Sequence, residues 1–218
     1  MKLLNNIRKY RNAIAKRTIR KIIKFNPEKY WTKRGKVYYN WYNGLSEMEK
    51  RGYLANEKLL LGALKTLEFK SILEVGCGFG RILKLVNNNF ELEKIVGIDL
   101  SNDQIENAKN YIGDKKVELH QGSIYKLDFP DRSFDLVFTS EVLMHVPPDK
   151  IREAMKELLR VSKRHVLNME FFKKDFKGNL AEHNWTHDYP RIYKEIGHNV
   201  KKSVKIEDDQ TIFLVEKN

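Results

Sequence analysis

Three glycines stand at alternate positions in Glu74-Val75-Gly76-Cys77-Gly78-Phe79-Gly80, directly after the apolar run Ile72–Val75 and before Arg81-Ile82-Leu83. A glycine turn between a strand and a helix lets the backbone approach a nucleotide-like ligand without Cβ clashes. Asp99 closes the next apolar run, Val96-Gly97-Ile98-Asp99-Leu100-Ser101, 23 residues after Gly76. A carboxylate at such a strand tip can accept both hydroxyl hydrogens of a ribose. A dinucleotide fingerprint needs a glycine at position 81, and Arg81 stands there, which disfavours nicotinamide hydride transfer. Titratable groups follow later strands: Glu141 and His145, then Glu170, then His183 and His187 within Glu182–Tyr189. Each is a candidate general base, with His145 first because ligands bind at the carboxyl edge of such sheets. His183 and His187 are four apart, but the residues between lack a helical pattern and no third ligand is evident, so no metal is expected. Cys77 has no partner in the chain, which excludes an intramolecular disulfide and a thiolate zinc site and points to a reducing, cytosolic setting.

The elements that position these groups follow from periodicity. Strands are expected at 71–75, 94–98, 116–120, 134–139 and 164–169, with 200–206 and 211–216 pairing as a final hairpin. Helices are expected after the glycine turn to about Val86, from the Ser101 cap to about Ile112, over 151–161 and over 188–196. Strands alternating with helices predict one α/β domain with a parallel sheet covered on both faces. Ser46-Glu47-Met48-Glu49 reads as a capping box that opens a helix ending near Glu68. Its apolar side is Tyr53, Leu54, Leu60, Leu61, Leu64 and Leu67.

The chain has 218 residues and a net charge of +12, from 41 Lys and Arg against 29 Asp and Glu. Nine of the basic side chains and no acidic one fall in residues 1–24, so the rest is nearly balanced. Leu3, Ile7, Tyr10, Ile14, Thr18 and Ile22 recur there at helical spacing, and a basic amphipathic helix of this kind suits an anionic membrane surface, nucleic acid or a docking partner. Packing on its own domain with a solvated basic face suits it equally. Residues 25–53 hold eight of the 24 aromatics. They read as a loop-like lid whose rings, among them Tyr30, Trp31, Tyr38 and Tyr39, cover a substrate. The division expected is a basic, aromatic-rich N-terminal cap over 1–53 and a catalytic domain over 54–218. No run approaches the roughly 20 apolar residues that span a bilayer, and the N-terminus lacks a secretory signal.

Three motifs together resemble the class I S-adenosylmethionine-dependent methyltransferases of the small-molecule type: the glycine turn at 74–80, Gly97–Ser101, and Asp128-Phe129-Pro130-Asp131-Arg132-Ser133-Phe134-Asp135-Leu136-Val137 running on to Glu141–Val146. The resemblance covers about residues 55–170. It implies a Rossmann-like, seven-stranded, mostly parallel sheet with a C-terminal antiparallel hairpin, and S-adenosylmethionine as cofactor. Carried onto this chain, it implies that Gly76, Cys77, Gly78 and Gly80 pass under the cofactor while Glu74 orients that turn or meets the methionine ammonium. Asp99 would hold the ribose hydroxyls and Leu100 would pack on adenine. Ser123 stands where the family often has an acid for the adenine amino group, with the Ile124 backbone at a ring nitrogen. Ser140 would lie at the methionine end, Glu141 and His145 at the reacting atoms, and His183 and His187 beside the acceptor. The acceptor expected is an oxygen or nitrogen of a small molecule, a sugar or a lipid headgroup, with the protein cytoplasmic or peripheral to a membrane. RNA- or DNA-directed methylation is the alternative, disfavoured because Thr139-Ser140-Glu141-Val142 replaces the Asn/Asp-Pro-Pro-aromatic motif. A non-catalytic cofactor-binding module is the other alternative.

Overall fold

The computed structural model describes residues 26–173, 176, 181, 183–206 and 209–217. The basic segment 1–24 lies outside the described residues. In chain order the elements are α1 (Pro27–Asn43), α2 (Glu47–Leu64), β1 (Ser71–Val75), α3 (Arg81–Asn89), β2 (Lys94–Asp99), α4 (Asn102–Ile112), β3 (Val117–Gln121), β4 (Phe134–Ser140), a short 3-10 turn (Leu143–His145), α5 (Ile151–Val161), β5 (Ser162–Phe171), α6 (Tyr189–Glu195), β6 (Val200–Lys205) and β7 (Gln210–Glu216).

The strands form one seven-stranded sheet in the order β3-β2-β1-β4-β5-β7-β6. Neighbours from β3 to β5 run parallel, and β7 is antiparallel to both β5 and β6. The order reverses direction between β1 and β4, and a crevice opens beyond the carboxyl ends of strands at such a switch point. β1 is buried along its whole length, as a central strand covered on both faces must be. Alternate side chains feed two apolar layers. Leu73, Val75, Val137, Val166 and Phe213 pack under α5 and α6. Ile72, Ile95, Leu136, Leu167 and Ile212 pack under α2, α3 and α4.

The N-terminal region corrects one expectation. Residues 27–43 are a helix, not a loop-like lid. The Asn26 side chain accepts from Lys29 N–H at 2.9 Å, and Pro27 occupies the first turn, where its missing N–H and fixed φ are tolerated. Trp31, Gly35, Tyr38 and Tyr42 recur at spacings of three and four on one face, and Gly35 and Tyr42 are buried. Gly35 lets α1 lie directly on the start of α4, where a Cβ would stand 2.1 Å from Ser101 Oγ.

The capping box forms in α2: Ser46 N–H donates to Glu49 Oε2 at 2.8 Å and Glu49 N–H to Ser46 Oγ at 3.3 Å. That helix stops at Leu64, four residues short of Glu68. Thr66 and Leu67 N–H turn back to the Ala63 and Leu64 carbonyls, and Thr66 Oγ1 donates to Ala63 O, which tightens the last turn. Leu60 and Leu64 are buried, whereas Leu54 is 50% exposed and off the packed stripe. Residues 53 and 54 fall inside this helix, so cap and sheet share an element at the expected boundary.

Candidate active site

The glycine turn is held from β2. Gly76 and Cys77 N–H both donate to Ile98 O, at 2.8 and 2.9 Å. Gly76 has φ +79°, a conformation that suits glycine, and a Cβ there would meet Val142 Cγ2 at 2.4 Å. Asp99 ties the turn to the start of α4: Oδ2 accepts Gly78 N–H at 2.9 Å and Oδ1 accepts Ser101 N–H at 2.8 Å. Burial raises the Asp99 pKa, and these backbone donors pull it back.

The turn opens on a cleft whose empty space, counted out to the solvent at its mouth, is about 1230 Å³. Glu74, Gly76, Cys77, Gly78, Asp99, Leu100, Ser123, Ile124, Ser140, Glu141 and His145 all line it, as do Trp31 and Tyr38 of α1. Gly80 does not. It sits at φ +81° against α4, where a Cβ would stand 2.6 Å from Ile112 Cδ1, so it serves helix packing. Cys77 is buried, which pushes its thiol well up and makes it filler. Four buried polar atoms of cleft residues have no partner: Trp31 Nε1, Glu74 Oε2, Gln104 Oε1 and Ser140 Oγ. Buried polar atoms are normally satisfied, so a set of orphans along one cleft marks a ligand's place. Two donors and two acceptors suit a molecule bearing an ammonium, a carboxylate and hydroxyls, and Glu74, its pKa raised well above the ordinary value by burial, is suited to a cation.

The turn after β4 carries Ser140, Glu141 and His145, and it is held by a carboxylate from β5. Glu170 is fully buried and accepts Thr139 Oγ1 at 2.7 Å, Val142 N–H at 3.2 Å and Met144 N–H at 3.2 Å. Asn168 Nδ2 donates to Thr139 Oγ1 at 2.8 Å, and Tyr193 of α6 donates its hydroxyl to Asn168 Oδ1. Burial moves the Glu170 pKa from 4.5 to about 7. Glu170 is thereby a scaffold rather than an exposed base. Glu141 adopts φ +58°, unusual for a side-chain-bearing residue, with its N–H donating to Met169 O at 2.8 Å.

The His145 ring lies 4.3 Å from that of Trp31 at a tilt of 49°, and the His183 ring lies 5.4 Å from His145. Tyr30 stacks on His183 at 4.7 Å. Nδ1 of His145 lies 3.1 Å from the His183 carbonyl, which can only accept, so Nδ1 carries the proton and Nε2 keeps its lone pair. Burial lowers the His145 pKa from 6.5 to about 4, so the ring is neutral near pH 7.

Four substrate candidates do not line the cleft: Tyr30 and His183, which pack against Trp31 and His145, and His187 and Tyr39. His187 is buried with Nε2 2.9 Å from Val146 O and packs on Tyr189. Its carbonyl partner and burial make it structural. Tyr39 packs on Phe79 and Tyr111 and does not line the cleft. Among the described residues no group of three or more His, Cys, Asp or Glu could hold a metal ion. Sequence reasoning missed Gln104, Tyr125 and Glu28 as lining residues and the Thr139-Asn168-Tyr193 chain. Gln104 follows the Ser101 cap by three, but nothing in the pattern shows that Gly35 brings α1 beside it.

A family profile described as a methyltransferase domain matches residues 72–165. Over those residues the match supports a methyltransferase domain of the class I S-adenosylmethionine-dependent type. The sterol 24-C-methyltransferase of Aspergillus fumigatus is 29% identical over 168 residues, 72% of this chain and 42% of that protein. The fatty-acid O-methyltransferase of Mycolicibacterium smegmatis is 35% identical over 75 residues, 34% of this chain and 27% of that one. The chain thus spans less than half the length of these curated relatives. In fold it is similar to the magnesium protoporphyrin IX methyltransferase from Synechocystis PCC 6803, solved with bound SAH, with a TM-score of 0.69 at 15% identity over 88% of this chain and 98% of that one. A SAM-dependent methyltransferase from Aquifex aeolicus aligns with a TM-score of 0.63 at 20% identity over 88% and 99% of the two chains. S-adenosylmethionine is the cofactor of the family, and the orphaned atoms of this methyltransferase domain fit it.

Proposed function

We propose that this chain transfers a methyl group from S-adenosylmethionine to an oxygen or nitrogen of a small-molecule, sugar or lipid-headgroup acceptor. The observation that carries this reading is the joint placement of the Asp99 carboxylate, the glycine turn and the four unpartnered polar atoms on one cleft. Asp99 would bind the ribose, Leu100, Ser123 and Ile124 the adenine, and Glu74 and Ser140 the methionine end. The bound cofactor supplies an electrophilic methyl on a sulfonium. The chain contributes alignment and exclusion of water, which together are worth roughly 7–11 kcal/mol when reactants are well oriented. α1 covers the cleft with Trp31 and Tyr38, and His145 offers Nε2 to an acceptor proton. The relatives named for sterol and fatty-acid methylation support an apolar or lipid-linked acceptor. The basic segment 1–24 would then hold a cytoplasmic enzyme at an anionic membrane surface. Among the described residues no helix is long and apolar enough to cross a membrane.

Calorimetry with S-adenosylhomocysteine tests the reading. A carboxylate accepting two hydroxyls is worth roughly 1.5–3 kcal/mol per bond, so Asp99→Ala should weaken binding by at least about a hundredfold. Unchanged affinity, or no binding by the unaltered chain, would remove the cofactor site from this cleft. Flotation with anionic liposomes, with and without residues 1–24, tests the membrane part; equal binding by the two chains would discard it.

A further inference from the structure

Helix α2 is apolar on two opposite sides. Leu60 and Leu64 are buried against the domain, and a surface helix normally leaves its other side polar. Here Met48, Arg51, Leu54, Lys58 and Leu59 share an outward arc of about 140°, at about 100° per residue, and all are exposed. The exposed Lys65 at the C-cap continues it. Glu47, in the first turn, is the one acid on that arc, since Glu49 is bonded to Ser46 in the capping box and Glu57 is ion-paired with Arg81 on the inner side. On α1, Lys29, Lys33, Lys36, Val37, Asn40 and Trp41 fill an arc of the same width opposite the buried Gly35 and Tyr42, and all six are exposed. The acid of α1, Glu28, lines the cleft instead. Among the described residues none of these lysines, nor Arg51, is ion-paired.

Six large apolar side chains are exposed among the described residues, and five of them, Val37, Trp41, Met48, Leu54 and Leu59, fall on these two helices at 40% to 74% exposure. Exposed apolar residues scattered singly need no explanation, but a concentration on two consecutive helices marks an interaction surface. The rings of Tyr42 and Tyr53, 5.5 Å apart, join the helices beneath it. Its charge selects the occupant. Residues 1–24 carry nine cations and no acid, so like charge opposes their packing on this face, and a second copy of the face meets the same repulsion. An anionic partner is favoured instead. Nucleic acid would engage the cations and leave the leucines, the methionine and the tryptophan in water, whereas a bilayer interface takes both: apolar side chains enter the acyl boundary, cations meet anionic headgroups, and tryptophan favours the headgroup level.

We infer that the outer faces of α1 and α2 dock on an anionic lipid bilayer, with Trp41, Met48, Leu54 and Leu59 entering the interface and Lys33, Lys36, Arg51 and Lys58 meeting the headgroups. This goes beyond the reading above, which gives the membrane contact to residues 1–24 alone, and it is independent of methyl transfer. α1 carries Trp31 and Tyr38 of the cleft on its other side, so the bilayer would lie about 10 Å, one helix diameter, from the cleft.

Co-sedimentation of the full chain with vesicles tests this. Vesicles of phosphatidylcholine with phosphatidylserine should bind it at least about tenfold more tightly than phosphatidylcholine alone. Arg51→Gln with Lys58→Gln should weaken that binding about thirtyfold, at about 1 kcal/mol per cation near the surface. Leu54→Ser with Leu59→Ser should weaken it at least about tenfold, because buried apolar area sets the depth of insertion. Both double variants replace exposed side chains, so they should melt within about 4 °C of the unaltered chain and bind S-adenosylhomocysteine within about twofold of it. Lipid brominated on its acyl chains should quench tryptophan fluorescence, and Trp41→Phe should remove most of that quenching. No vesicle binding by the unaltered chain, equal binding by it and either double variant, or quenching unchanged in Trp41→Phe overturns the inference. Tighter binding to double-stranded RNA than to the mixed vesicles, lost in the charge variant, overturns it in favour of nucleic acid. Failure of S-adenosylhomocysteine to bind, with vesicle binding intact, would strike the methyltransferase reading alone.

Discussion

Replacing Glu170 with glutamine tests whether a buried acid organises the turn that bears Ser140, Glu141 and His145. Its carboxylate receives only donors: Thr139 Oγ1, Val142 N–H and Met144 N–H. Burial raises its pKa from 4.5 to about 7. Between those values the folded chain keeps the proton and the unfolded chain has lost it, so stability falls as pH rises through this window. The loss, complete above pH 7, is about 3 kcal/mol. Glutamine does not titrate. Where the protonated acid brings one hydrogen to this site, the glutamine NH₂ group brings two toward the same donors, which leaves a buried donor unmatched at roughly 1–3 kcal/mol. At pH 5 Glu170→Gln should therefore melt about 2–12 °C below the unaltered chain, at about 2–4 °C per kcal/mol for a protein of this size. By pH 8 the difference should move upward by about 6–12 °C, so that the two curves meet or cross. Melting followed by circular dichroism at several pH values decides the matter. A difference that stays constant from pH 5 to pH 8 would refute the assignment of this titration to Glu170.

Three further changes probe other parts of the cleft. His145→Gln should flatten the acid side of the stability profile: with the folded pKa depressed from 6.5 to about 4, the unfolded state binds the extra proton, so the unaltered chain loses about 3 kcal/mol as pH falls through that range. Acid melts of equal steepness for both chains would contradict this. Gly35→Ala places a Cβ 2.1 Å from Ser101 Oγ and 2.5 Å from Ser101 Cβ, so α1 must move off α4. Overpacking of this kind costs about 1–3 kcal/mol, and S-adenosylhomocysteine affinity should fall with it; unchanged melting and affinity would show that α1 does not depend on this contact. Glu57→Gln strands the Arg81 guanidinium, and the loss should be near 3 kcal/mol, the lower end for a broken buried pair, because the rings of Tyr42 and Tyr53 still lie beside it. The double change to leucine at 57 and 81 should recover part of that loss in urea titration; a double variant less stable than the single would argue against a buried pair.

Much of the architecture is legible in the chain because it is written in local chemistry. The alternation of apolar runs with capped amphipathic stretches places β1 and α5 to the residue. Ser101 and the Ser46–Glu49 box mark helix starts because side-chain oxygens must satisfy N–H groups that no helical carbonyl can reach. The glycine turn and Asp99 are legible for the same reason, since each lies within or directly after an element whose direction the pattern sets. The aromatic stretch at 27–43 misled, because its density suggested a lid loop, although Asn26-Pro27 and the three-and-four spacing of Trp31, Gly35, Tyr38 and Tyr42 were helix signals.

What no local pattern contains is which distant residues share the cleft. Trp31 meets His145 across 114 positions, and Glu170 reaches back to Val142 and Met144 across the β4–β5 pairing. Those encounters depend on the docking of α1 on α4 and on sheet register, in which a shift of one residue would turn Glu170 to the opposite face. Sequence alone determined that a glycine turn and an acid stand at neighbouring strand tips. Only the folded chain decided that His187 is structural, that Glu170 is scaffold, and that a basic protein lines its cleft with carboxylates, because burial, tautomer and local charge arise from neighbours brought together by packing.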